Sequence, residues 1–108
     1  MYMIRVRLET PGGRPPAGPV DAAALRDGLE RVLREPARLD HARIRTAAGA
    51  LDGVAFVSAP GLLAAEAGLR AACAELARPQ GPLAGWLLRH CEADPWLTLG
   101  LHEQPTPR

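Results

Sequence analysis

Lysine does not occur in this chain of 108 residues, so its 13 cationic side chains are all arginine. That removes the glycine-rich phosphate loop, which needs a lysine to reach the phosphates. Alanine, glycine and proline are abundant beside the arginines, as GC-rich codons would produce, so arginine as such does not signal bidentate recognition here. Aromatic residues are scarce too: Tyr2, Phe56, Trp86 and Trp96 are the four, and the core has to be lean. Cys73 and Cys91 are the two cysteines, too few and too far apart for a CxxC redox or zinc motif. Charge of one sign is not in surplus, because 12 acids offset the arginines to a formal net charge of +1. Such a balance gives no global field favouring nucleic acid or membrane. No apolar run comes near the roughly 20 residues that span a bilayer, and Arg5, Arg7 and Glu9 near the N-terminus are at odds with a secretory signal. These absences predict a protein of the reducing cytoplasm, and its length suits one domain with a core of its own.

What is present centres on residues 52–77. Val54, Ala55, Phe56 and Val57 form a short apolar run that suits a strand buried on both sides, and residues 58–61 interrupt it with a proline and a glycine. The period then turns helical. Leu62, Ala65, Leu69, Ala72, Cys73 and Leu76 fall on one stripe at spacings of three and four. Cys73 reads there as a small buried hydrophobe.

Elsewhere the chain alternates between clear signals and breaks. Tyr2, Ile4, Val6 and Leu8 alternate with polar residues, the pattern of a half-buried strand. Residues 10–20 are a loop, with four prolines and three glycines between positions 10 and 19. Asp21 is placed to cap a helix, with Val20 and Leu25 as a hydrophobic staple. Ala22, Leu25, Leu29, Val32 and Leu33 form its inward stripe, and the pairs Asp27–Arg31 and Glu30–Arg34 have the acid-before-base spacing of ion pairs on its solvated face. Pro36 stops it. Residues 39–46 alternate again, with Ala42 and Ile44 on one face and His41, Arg43 and Arg45 on the other, and a glycine-containing turn at 47–52 returns the chain into the strand at Val54. Residues 82–91 fit either period. Gly81 and Gly85 weaken a helix there, which favours a strand with Trp86 and Leu88 inward and Leu87, Arg89 and Cys91 outward.

This element order resembles the ferredoxin-like β-α-β-β-α-β arrangement, an α+β fold with two helices on one face of a four-stranded antiparallel sheet. The resemblance rests on element order over residues 2–92, and many unrelated functions use that scaffold. It implies a spatial strand order of four, one, three, two. Residues 1–94 then make a single α+β domain, and residues 95–108 a tail. In that tail Leu97, Leu99 and Leu101 alternate after Trp96, which predicts an extra strand that either folds back over the domain or pairs with a second copy as a homodimer.

On such a sheet the face away from the helices carries Arg5, Arg7, His41, Arg43, Arg45 and Arg89, flanked by Ala55 and Val57. A cationic surface of this kind suits an acidic peptide or a phosphate-bearing ligand. RNA is disfavoured, since Ala55 and Val57 on the central strand offer no ring for a base to stack on, and the aromatic run of RNA-recognition-motif domains is absent. The bland alternative is that these arginines are merely solvated or paired with Glu9, Asp40 and Glu92. Catalysis has little to stand on: adjacent residues on a strand point to opposite faces, so His90 does not activate Cys91, and Glu66 and Glu75 lie too far apart for a carboxylate pair. His90, Cys91, His102 and Glu103 match no metal-ligand spacing, and no cofactor is implied. Two functions from different classes follow. The first is a non-enzymatic accessory module that docks a partner protein or acidic peptide on the sheet face or edge, with Trp96, Leu97, Leu99 and Leu101 as a dimer or partner contact. The second is a small ligand-binding or cofactor-free enzyme of the dimeric α/β-barrel type, which calls for an enclosed pocket lined by polar groups such as His41 or Tyr2.

Overall fold

The computed structural model describes residues 1–13, 21–47 and 49–93. In chain order they form β1 (Tyr2–Glu9), α1 (Ala22–Val32), β2 (Arg38–Ala47), β3 (Ala50–Ser58), α2 (Leu62–Leu76) and β4 (Leu87–Ala93), with a short 3-10 turn at Pro11–Gly13. All pairings are antiparallel, and the strands lie in the order β2-β3-β1-β4. This is the ferredoxin-like α+β topology, in the spatial order that the element sequence predicts.

One core lies between the sheet and the two helices. From β1 it takes Ile4, Val6 and Leu8, whose alternation with Arg5 and Arg7 survives intact in the burial pattern. Leu25, Leu29 and Leu33 come from α1 and its cap, and Ala65, Leu69, Ala72, Cys73 and Leu76 from α2. Leu83 and Trp86, in the connection after α2, close one end. The α1 start is the one the sequence marks: the Asp21 carboxylate accepts from the Ala23 N–H at 3.2 Å, a cap worth about 1 kcal/mol. Its staple partner Val20 lies outside the described residues. Arg34 does not serve Glu30; it crosses to Glu75 on α2 at 3.3 Å and ties the two helices together.

The hairpin is tighter than the glycines at 49 and 53 suggest. Ala47 pairs directly with Ala50, and the turn is made at Gly49, whose φ of 72° is in the left-handed region open to glycine. Gly53 is therefore not a turn residue but part of β3, paired to Val6 on one side and Ile44 on the other. Thr10 secures the turn from outside: its N–H donates to the Gly49 carbonyl at 2.9 Å.

Both edge strands carry an extra residue, and neither bulge is evident in the alternation. In β2, Leu39 pairs with Val57 and His41 with Phe56, so Asp40 has no partner. In β4, Leu88 pairs with Leu8 and His90 with Arg7, so Arg89 has none. Each bulge lets two residues three apart face the core, Leu39 with Ala42 and Leu88 with Cys91. That corrects the expectation for Cys91, which points inward and is buried, while His90 turns to the outer face. It also settles the ambiguous segment: residues 87–93 are strand, and residues 82–85 are turn. The loop from residue 14 to 20 and the tail from residue 94, with the predicted extra strand, lie outside the described residues.

Candidate functional site

The register places the outward side chains in rows across the sheet. From β2 to β4, one row runs His41, Phe56, Met3; the next Arg43, Val54, Arg5, Glu92; the third Arg45, Asp52, Arg7, His90. Arg89 stands at its bulge beside the third row. All six sheet-face residues named from the sequence, Arg5, Arg7, His41, Arg43, Arg45 and Arg89, are thus brought to one surface. Trp96, Leu97, Leu99 and Leu101 fall outside the described residues.

The central strand differs from expectation. Ala55 and Val57 are buried at 3% and 0% exposure and face the helices, while Val54 and Phe56 face out and are half-buried. β3 is therefore one-sided rather than buried on both sides. The strand begins at Ala50, and counting by twos from buried Leu51 gives Gly53, Ala55 and Val57 as the inner set. Where that count begins is set by the burial of Leu51 in the folded sheet, which the run of residues does not state. The Phe56 ring lies 5.7 Å from the His41 ring, tilted by 40°, so an aromatic pair stands where none was expected.

The charges of this face divide unevenly. Arg7 donates to Asp52 at 2.6 Å and to Glu9 at 2.8 Å, and Arg89 donates to the other oxygen of Glu9 at 3.2 Å. Glu9 consequently holds two arginines, and its hydrogen bond from Arg7 keeps its carboxyl below the usual glutamate range. Arg7 is pushed up in turn, first by Glu9 and then by Asp52. Glu92 lies directly across from Arg5. At the bulge of β2, Asp40 takes Arg38 at 3.3 Å and the Ser58 hydroxyl. The pairing anticipated for Glu9 is thus present, Asp40 serves Arg38 and not an arginine of the face, and Asp52, expected in a turn, adds an acid to the face. Arg43 and Arg45, exposed on β2 with His41, form no ion pair with any other described residue. Between them and the sheet centre lies a shallow, open depression lined by Arg5, Arg43, Arg45, Asp52, Gly53 and Val54.

Between sheet and helices the packing leaves a void of about 20 Å³, with an apolar lining that includes Val6, Leu25, Leu29, Ile44 and Cys73. It has about the space of one water and no polar group to hold one. Tyr2 packs against the edge of the core and His41 is on the other side of the sheet. Among the described residues no three of His, Cys, Asp and Glu come together as metal ligands. No helix among them is long and apolar enough to cross a membrane.

Fold and face together define a small α+β protein of ferredoxin-like topology with an open, arginine-bearing sheet. No known protein family, curated protein or solved structure matches the chain.

Proposed function

We propose that this chain is a small non-enzymatic interaction module, an accessory protein of the cytoplasm that docks an acidic segment of a partner protein on the outer surface of its sheet. The observation that carries the reading is the exposed run His41, Arg43, Arg45 along β2, beside an open depression and without an ion pair to any described residue. Elsewhere on the face Glu9 and Asp52 already occupy Arg7 and Arg89. Carboxylates of a partner would find their charge-assisted hydrogen bonds at Arg43 and Arg45. The filled core supports the same reading over a ligand-binding enzyme, because the void of about 20 Å³ has no polar wall. The two free, buried thiols suit a reducing compartment.

The outward Phe56 beside His41 favours a second reading, in which a single-stranded nucleic acid stacks a base on that ring. A strand that binds by stacking needs rings for successive bases, and Phe56 with its neighbour His41 is the one aromatic pair among the described residues, so the protein binding reading is preferred. Fluorescence anisotropy with a labelled glutamate-rich peptide tests it. The double substitution Arg43→Glu with Arg45→Glu should weaken binding by roughly tenfold or more, about 1.4 kcal/mol or above. Equal affinity in the two proteins would refute the assignment of the surface, and an oligothymidylate binding in place of the peptide would favour the second reading.

A further inference from the structure

We infer that the docked segment is an extended acidic strand that adds to the free edge of β2 alongside residues 41–47, and not to β4. The inference rests on the docking reading above and names the geometry of that same site. Among the described residues the sheet has two edges, β2 and β4. On β4 the backbone is already engaged by α2. The Cys91 carbonyl accepts from the Arg70 guanidinium at 2.8 Å, and the Ala93 N–H donates to the Glu66 carboxylate at 2.9 Å. Glu66 and Arg70 are one helical turn apart, so a single face of α2 plugs two positions of that edge. A strand arriving there has to displace two charge-assisted hydrogen bonds before it gains any of its own.

The edge of β2 is arranged differently. Its N-terminal end is spoiled by the bulge at Asp40, whose carboxylate is held by Arg38 and Ser58. Beyond the bulge, pairing with β3 is regular from His41 to Ala47. Among the described residues no side chain hydrogen-bonds the backbone of that stretch. It offers about 20 Å of ladder, enough for the main-chain contacts from which strand addition derives its affinity. Specificity comes from the alternate side chains. His41, Arg43 and Arg45 stand on the outer side, and buried Ala42 and half-buried Ile44 on the helix side. A segment alternating acidic with apolar residues would set its acids beside the arginines and its apolar residues beside Ile44. A second copy of this chain is a poor occupant, because two β2 strands paired about a two-fold axis would bring Arg43 and Arg45 against their own counterparts.

The test uses the intact protein labelled with 15N and three probes: a peptide alternating glutamate with valine, the same peptide N-methylated on alternate backbone amides, and an oligothymidylate. Strand addition predicts that the plain peptide protects amides of residues 41–47 from exchange. The methylated peptide that blocks the pairing edge should bind at least about tenfold more weakly, and Arg43→Glu with Arg45→Glu should abolish the effect. Equal binding of plain and methylated peptides, still lost on charge reversal, would overturn the edge inference while leaving face docking intact. Protection at residues 87–93 would overturn the choice of β2. Failure of both peptides to bind would reject the docking reading itself, and binding of the oligothymidylate alone would replace the partner class.

Discussion

Cys73 and Cys91 show at the scale of single residues how burial decides chemistry. Both side chains are 2% exposed. Burial pushes the Cys73 thiol up to about 12, with the neighbouring Cys91 adding to the effect. Burial likewise raises Cys91 to about 11, partly offset by the Arg70 guanidinium and reinforced by Glu66 and Glu92. The thiolate is the reactive form, and at pH 7 both groups stay protonated. Iodoacetamide should therefore label the native protein far more slowly than the denaturant-unfolded chain, with the rate following unfolding; prompt native labelling of Cys91 would contradict its place in the core. From sequence, Cys73 was legible as a core residue because a helix stripe tolerates no slippage over two turns. Cys91 was not, because the one-residue bulge at Arg89 inverts every side chain beyond it and leaves no mark in the alternation.

At the scale of elements, the connection from α2 to β4 is the least forgiving. The chain doubles back so tightly after α2 that a Cβ on Gly81 would sit 2.2 Å from the Leu76 carbonyl oxygen and 2.8 Å from its carbon. Those are backbone atoms and cannot swing away. Gly81→Ala should cost about 1–3 kcal/mol of stability, in the range of other overpacked sites. Gly61→Ala makes the control for steric cost, since its Cβ meets nothing within 4 Å and its φ of −159° is extended backbone open to any residue; as the N-cap of α2 it should lose about 0.5 kcal/mol, the preference for glycine over alanine there. Chemical denaturation of the two variants checks the pair, and equal midpoints would mean that the turn opens without cost. The sequence marks residues 79–85 as a break through their prolines and glycines, yet the clash at Gly81 depends on where Leu76 ends up, which composition does not report.

At the scale of the molecule, net charge and local charge part company. The formal net charge is +1, but Glu9 and Asp52 engage Arg7 and Arg89, so the cations without a described ion-pair partner on the sheet face gather along β2. Salt should separate binding from folding. Raising ionic strength from about 0.05 to 0.5 M shortens the screening length severalfold and should weaken the glutamate-rich peptide markedly, while the thermal unfolding midpoint hardly moves, because exposed ion pairs contribute little to stability. A midpoint that falls in step with the affinity would show that the sheet-face ion pairs hold the fold together.

The sequence by itself determined the first five elements, their order and which of β1's side chains face the core, because period two and period 3.6 are local properties; only residues 82–91, which fit either period, needed the sheet to make them a strand. It also brought the six sheet-face residues to one surface, since each lies on a strand whose alternation is readable on the near side of any bulge or, for Arg89, within it. Tertiary structure alone decided that Phe56 rather than Val57 faces out, that Asp52 belongs to the charged face, and that the β4 edge is plugged while residues 41–47 of β2 have no described cap. Those outcomes depend on register between strands far apart in the chain and on where Glu66, Arg70 and the two bulges fall, and a single strand carries no record of its neighbour's alignment.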